Sequence, residues 1–328
     1  MREFAYQRAE QVEEAIAAAN APQTKYLAGG TNLLDLMKGD VERPARIIDI
    51  NRLPLAEILE LPNGGVRIGA MVRNSDAANH RYIRQHYPLL SQALLAGASA
   101  QLRNMASVGG NLLQRTRCYY FYDTAFASCN KRDPGTGCAA RNGFNRIHAV
   151  FGASEHCVAT HPSDMAVALT ALDAIVEVRG SNGTRRIPIG AFYRLPENIP
   201  EIDTTLAPGE LIIAVELPPS RFSSHSHYLK VRDRSSYAFA LVSVAAAIHQ
   251  QSGKVVDARI VLGGVAHKPW RVKNAERQLV GGRLEGDTLE AAARASVEGA
   301  QPLQHNAFKI DLARRAVIQA LQAAGASS

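Results

Sequence analysis

No stretch of the 328 residues approaches the 18 or so consecutive apolar side chains that a membrane-crossing helix needs. The longest apolar run, YAFALVSVAAAI from Tyr237, has 12 residues with a serine inside it and reads as a buried strand. The opening MREFAYQRAEQVEEA lacks the apolar centre of a secretory signal, so the chain is expected not to export itself, although it can travel folded with a partner. No Lys/Arg block of nucleic-acid type occurs. The net charge is +7, yet basic residues alternate with acidic ones, and the densest spots, VRDRSS and TRRIP, read as solvated faces. Such a pattern argues against a nucleic-acid partner and leaves room for an acidic protein partner. There is no convincing nucleophile with its base and no carboxylate dyad, so the chain does not look like a hydrolase. Cysteine is scarce as well, only four in all.

What is present is an ordinary globular composition, 46% hydrophobic and 20% charged, long enough for one large domain or two to three smaller ones. The start reads as a strand and then a helix, with Val12, Ala15, Ile16 and Ala19 at helical spacing until Asn20-Ala21-Pro22 stops it. TKYLAGGTNLLDLMKG reads as a strand, a glycine turn and a second helix. ARIIDI and VRIGAMV are strands, and PLLSQALLAGASAQLRNMA is helical. PSDMAVALTALDA is a helix, followed by β segments at AIVEVRG, TRRIPI and GELIIAVELPP. The Pro- and Ser-rich LPPSRFSSHSH, residues 217–227, is the best domain boundary. Beyond it lie a hairpin around QSGK and a helical tail. The class is α+β, not a regular βαβ alternation.

All four cysteines fall in one 40-residue window with spacing C-x10-C-x8-C-x18-C: Cys118, Cys129, Cys138 and Cys157. Random placement rarely clusters them so tightly. Disulfides need an oxidising compartment, structural zinc usually shows a C-x2-4-C pair that is missing here, and an iron–sulfur cluster needs four soft thiolates on a wrapping loop. Gly135, Gly137 and Gly143 give the window loop character, and Arg117, Lys131 and Arg132 would favour thiolates. From spacing alone the three readings stay open. His148, His156 and His161 lie nearby, but four cysteines require no histidine ligand.

Two glycine loops stand out. LAGGTNLLDL places Gly29-Gly30 after a strand, with Thr31 as a candidate cap for the next helix, where free backbone N–H groups make an anion site. It is neither GxGxxG nor GxxxxGK[ST], so the Rossmann and P-loop readings lose support. SVGGNLLQ repeats the idea at Gly109-Gly110-Asn111, and the pair read as two walls of one pyrophosphate site. In THPSDMAVAL, Ser163 is a helix cap and Asp164 a candidate for a ribose hydroxyl, against the plain reading of a first-turn helix charge.

LAGGTNLLDLMK, SVGGNLLQ, HPSDMAVAL, YLKVRDRSSYAFALVSVAAA and LGGVAHKPWR together resemble the FAD-binding medium subunits of the molybdenum hydroxylases, the xanthine dehydrogenase and aldehyde oxidoreductase family, over nearly the whole chain. The window Arg115–Cys157 resembles the [4Fe-4S]-carrying insertion of the FAD subunits of bacterial periplasmic, heterotrimeric aldehyde oxidoreductases. The 4-hydroxybenzoyl-CoA reductase type is a more distant match. The resemblance implies a two-lobed FAD-binding domain of the vanillyl-alcohol-oxidase type over residues 1–220, with the four-cysteine insertion at about 115–157. A small C-terminal domain over 225–328 would have a three-stranded antiparallel sheet against helices.

The resemblance also implies roles. Leu27, Ala28, Gly29, Gly30, Thr31, Asn32, Leu33 and Leu34 would wrap the FAD pyrophosphate, and Ser107, Gly110, Asn111, Leu113 and Gln114 would form the second wall. Asp164 would hold the adenosine ribose, Ile213 (with Ile212 as rival) would pack near the isoalloxazine, and Lys230 would stand near the flavin. Cys118, Cys129, Cys138 and Cys157 would hold the [4Fe-4S] cluster. The implied partners are a large molybdenum-cofactor subunit, a small [2Fe-2S] subunit and an external electron acceptor. The implied location is the periplasm, reached on a partner's signal, with the cytoplasm as alternative.

Overall fold

A computed structural model describes residues 1–326. In the amino-terminal lobe β1 (Ala5–Arg8), β2 (Thr24–Leu27) and β3 (Arg46–Asp49) run parallel in the order β1-β3-β2. Parallel strands need crossovers, and helices Val12–Ala19 and Leu33–Lys38 supply them. Ala15 and Ile16 of the first helix bury against Ile48 and Ile50, and this cluster runs on into Met71 and Ile213 of the next lobe.

The second lobe is an antiparallel sheet of β4 (Ile58–Glu60), β5 (Val66–Gly69), β6 (Ile175–Gly180), β7 (Gly183–Pro188) and β8 (Leu211–Leu217), in the order β4-β5-β8-β6-β7. Helices Pro88–Ala96 and Asp164–Ala171 pack on it. All eight residues of the latter are buried, which is why its sequence is apolar on every side. Ser163 caps it as expected, accepting from the Ala166 N–H. The single helix expected over residues 88–106 is two helices: Ala98 takes φ 52°, and Ser99 caps a new one, Ala100–Met105.

The C-terminal domain is an antiparallel sheet of β9 (Ser226–Val231), β10 (Val242–Gln251), β11 (Lys254–Gly263) and the two-residue β12 (Trp270–Arg271), ordered β12-β11-β10-β9. Helices Lys273–Leu279, Gly286–Ala295 and Phe308–Ala326 cover one face. The sheet is thus three long strands plus a short edge. Ser252 and Gly253, at φ 51° and 75°, make the QSGK turn a primed hairpin turn matched to strand twist. In β10, Val242, Val244, Ala246 and Ile248 face the helical tail, while Ala245 and Ala247 face the core of the second lobe. Burial on both faces produces the unbroken apolar run. The run's first residues are not strand: Tyr237, at φ 49°, and Phe239 are exposed in the β9–β10 loop, where Arg117 stacks on Phe239 at 4.7 Å.

Candidate functional site

The structure sets the two glycine loops side by side. A side chain on Gly29 would sit 1.9 Å from the Met105 carbonyl oxygen, so only glycine lets the first loop touch the approach to the second. The same carbonyl accepts from Arg73 at 2.6 Å; Arg73 also donates to Asn51, and Asn51 donates to the Ala28 carbonyl at 3.0 Å. Leu27 ends β2, and Gly30 turns the chain at φ 72° with Leu34 beneath it. Thr31 is not the cap expected of it. Asn32 occupies the position before helix Leu33–Lys38, and its side chain does not cap either. Its Oδ1 accepts from the Arg115 N–H at 2.9 Å and its Nδ2 donates to the Tyr122 hydroxyl at 3.2 Å. Among the described residues nothing accepts the backbone N–H groups of Thr31 and Asn32, which leaves two donors together on the turn.

In the second loop Ser107 is buried and accepts from the Gly110 N–H at 3.2 Å, while Gly110 itself is exposed. Asn111 Oδ1 accepts from both Ser163 Oγ (2.6 Å) and Gln114 Nε2 (2.8 Å), tying this loop to the cap of helix Asp164–Ala171. Leu113 is exposed beside it. Asp164 and Lys230, read from sequence as separate contacts, are partners: they form a buried ion pair at 2.7 Å, and Tyr228 donates to the other Asp164 oxygen at 2.7 Å. On β8, Ile213 packs toward the amino-terminal lobe and Ile212 into the opposite core, so the two rivals are separated by strand alternation. Asn51 and Arg73 border an open cleft of about 360 Å³ that Met71, Val72, Asp76 and His80 also line.

The four cysteines, up to 39 residues apart in sequence, line one enclosed cavity. None is in a disulfide. Cys118 starts the one-turn helix Tyr119–Tyr122, Cys129 and Cys138 pair across an isolated bridge, and Phe121, Ala140 and Ala159 close the walls. The cavity measures about 10 Å³, room for about one water. A hydrogen bond from Cys157, with help from the Val158, Ala140 and Arg141 amides, brings the Cys138 thiol down to about 6, and burial pushes Cys118 up to about 12. Among the described residues no three His, Cys, Asp or Glu side chains converge on a single metal-ion position.

The basic residues expected to favour thiolates make their hydrogen bonds elsewhere, while Lys131 still lines the cavity and its charge works against the rise of the Cys157 thiol. Lys131 pairs with Asp203 and the Pro200 carbonyl, Arg132 donates to the carbonyls of Tyr120, Phe121 and Phe126, and Arg117 lies on Tyr122 and Phe239. Asp203 and Lys309, which sequence reading did not single out, stand close to the site, as does His148, which it named only as a neighbour without a ligand role. Asp203 bridges Arg115 and Lys131, Lys309 is fully buried beneath the window, and the His148 ring nitrogen touches Cys118 Sγ at 3.1 Å. Asp203 and Lys309 lie so far along the chain from the cysteines that no local pattern marks them.

The profile described as FAD binding domain in molybdopterin dehydrogenase matches residues 2–220, and that described as CO dehydrogenase flavoprotein C-terminal domain matches residues 227–324. The chain belongs to the FAD-binding subunits of the molybdenum hydroxylases. The aldehyde oxidoreductase FAD-binding subunit PaoB of Escherichia coli is 54% identical over the whole of both chains. The glyceraldehyde dehydrogenase medium chain of Sulfolobus acidocaldarius is 28% identical over 92% of this chain and 90% of its own. Among solved structures, a carbon monoxide dehydrogenase from Hydrogenophaga pseudoflava superimposes with a TM-score of 0.78 at 26% identity, over 99% of this chain and 98% of that one.

FAD-binding subunits need an anion cradle and a long groove, and this chain has residues that fit. Two free N–H groups on a glycine turn suit a pyrophosphate, and the adjoining cleft runs between the lobes. As a member of this family the chain is an oxidoreductase subunit.

Proposed function

We propose that this chain is the electron-transfer flavoprotein subunit of a heterotrimeric molybdenum aldehyde oxidoreductase. Aldehyde is oxidised on a large subunit, [2Fe-2S] clusters on a small subunit relay electrons, and this chain passes them to an external acceptor through FAD with a [4Fe-4S] cluster as an extra station. The observation that carries the aldehyde reading is the 54% identity, end to end, to a protein named an aldehyde oxidoreductase FAD-binding subunit. FAD, when bound, exchanges electrons singly or in pairs. The protein's own part is placement: the turn from Leu27 to Leu34 and the loop Ser107–Gln114 hold the pyrophosphate, Asp164 and Lys230 fix the floor between the domains, and Ile213 backs the ring system.

The cluster reading rests on four otherwise unused thiols lining one apolar-walled cavity. Cys118, Cys129, Cys138 and Cys157 would hold the cluster, which would supply one-electron transfer. The loop has room to adjust: Gly135 and Gly137 sit at φ 87° and 97° with open space or only loose contact around them. Periplasmic location, on a partner's signal, belongs to the same proposal.

The test is iron, zinc and flavin content of the complex purified anaerobically, and of the chain alone. About four irons and one FAD per chain support the reading. FAD without iron keeps the flavoprotein and removes the cluster; zinc without flavin overturns both. Cys129→Ser should remove the iron of this subunit, and unchanged iron would exclude Cys129 as a ligand.

A further inference from the structure

One buried charge has no use in the glycine loops or the cysteine set. Lys309, the second residue of helix Phe308–Ala326, has no exposed surface. Its ammonium donates to three carbonyls, those of Ile147 (3.2 Å), His148 (2.9 Å) and Gly264. Among the described residues it has no carboxylate partner. It also stands in the first turn of a helix, where the dipole disfavours a cation. Burial brings it down to about 7, so it is on the edge of losing its proton.

The groups facing it do not compensate. Arg146, on the loop packed against it, adds positive charge and is paired with Asp233. Asp311, on its own helix, is turned outward to Arg314 and Arg315. His267 is held neutral by burial, at about 3, and adds no negative charge. The way out of this environment is through His148. Its carbonyl accepts from Lys309, and Asn306 donates to the same carbonyl at 3.2 Å. Its ring reaches Cys118 at 3.1 Å. Around the cavity the other buried cations are already matched to acids: Lys131 to Asp203, Arg115 to Glu42 and Asp203, Arg132 to Asp133. Arg141, half-buried, gives its charge to the Ser154 carbonyl near solvent.

We propose that Lys309 is the counter-charge of the cysteine cavity: a fixed ammonium behind His148 that balances the negative charge of the thiolates when they hold a metal cluster, and so sets how readily that cluster is reduced. The inference rests on the cluster reading above. It assigns the lysine a positioning and electrostatic role without contact to the cluster. With the cavity loaded, the nearby negative charge keeps Lys309 protonated, and the ammonium in return favours the more negative, reduced state.

The test is made in the complete complex. Lys309→Met and Lys309→Arg are compared with the native protein for iron content and then for the midpoint potential of the cluster, read by EPR during a redox titration. Lys309→Met with full iron should show a reduction constant about tenfold lower, which is about 59 mV for a one-electron step, while Lys309→Arg restores the native value. A purely structural bolt would not shift the potential at constant iron, so an unchanged potential in iron-replete Lys309→Met overturns the proposal. If that variant does not assemble, Lys309→Gln is measured in its place, and an unchanged potential at full iron overturns the proposal in the same way. Absence of iron from the native chain fails the cluster reading instead, and this is seen before any potential is measured.

Discussion

Gly29→Ala is the sharpest test of the paired glycine loops. The new methyl would lie 1.9 Å from the Met105 carbonyl oxygen and 2.7 Å from its carbon, and both are backbone atoms that no rotamer change can move. Ordinary contact begins at 3.4 Å, so the loops must part by about 1.5 Å (3.4 − 1.9). That carbonyl also accepts from Arg73 at 2.6 Å, and the next residue's carbonyl receives the Asn74 N–H at 2.9 Å, so separation strains two hydrogen bonds as well as the packing. Overpacking costs about 1–3 kcal/mol, and a weakened bond to a charged donor about 1.5 kcal/mol more. The sum, about 3 kcal/mol, corresponds to roughly a hundredfold loss if all of it falls on the FAD-competent arrangement. The assay is flavin retained after gel filtration, with thermal unfolding run with and without added FAD. Gly190→Ala, where nothing lies within 4 Å, is the control. Gly29→Ala that keeps full flavin and melts with the control would refute the argument that the close approach of these loops builds the site.

Acid should destabilise the chain through buried histidines. Burial holds His161 at about 4 and His267 at about 3, below the usual 6.5, so between pH 6.5 and 4 the unfolded chain binds protons that the folded one does not, and stability falls with pH across that window. At pH 5 the loss is about 2 kcal/mol per histidine, read as the difference in urea midpoint between pH 7.5 and 5. A His267→Leu variant with the same acid sensitivity as the native chain would count against it. Asp164→Asn leaves Lys230 buried without its charge partner and should cost about 3–5 kcal/mol in chemical denaturation. Adding Lys230→Met should recover part of that loss, and strict additivity would rule out the pair as a coupled unit.

Most of the scaffold was legible because its signals are local. Helical spacing in VEEAIAAA, the Ser163 cap and the primed QSGK turn each act over a few residues, and each stands where the sequence puts it. The errors arose where a tertiary contact overrode a local preference. Ala98, at φ 52°, breaks a long apolar helix, and Ser99 caps its second half. Tyr237 and Phe239 look like strand yet serve a loop that ends under Arg117. In the site, the clustering of the cysteines and the glycine pairs could be read, but not what surrounds them. Lys131 and Arg132 sit beside Cys129 and suggest an electropositive cavity; Lys131 does act on Cys157, but its partner Asp203, some 70 residues away, could not be read. The buried Lys309 lies 152 residues beyond Cys157 (309 − 157), inside an unremarked amphipathic tail.

Asn32 shows how the two regions are coupled and why the capping expectation failed. A residue before a helix ordinarily turns its side chain back onto the first free N–H groups. Here that side chain points the other way, receiving the Arg115 N–H and donating to Tyr122, at the two ends of the short segment that carries Cys118. The diversion fixes the start of the cysteine window to the turn itself, whose Thr31 and Asn32 N–H groups meet no acceptor among the described residues. The far end of the window is held by the other domain: Asn145 receives the His305 N–H, and Asn306 and Lys309 bind the carbonyls of residues 147–149. A segment anchored to the glycine turn on one side and to the C-terminal helix on the other cannot change its cavity without straining both. The shape of the cavity and the order of the glycine turn are therefore one mechanical problem, in which the cysteine window acts as the rivet between the domains.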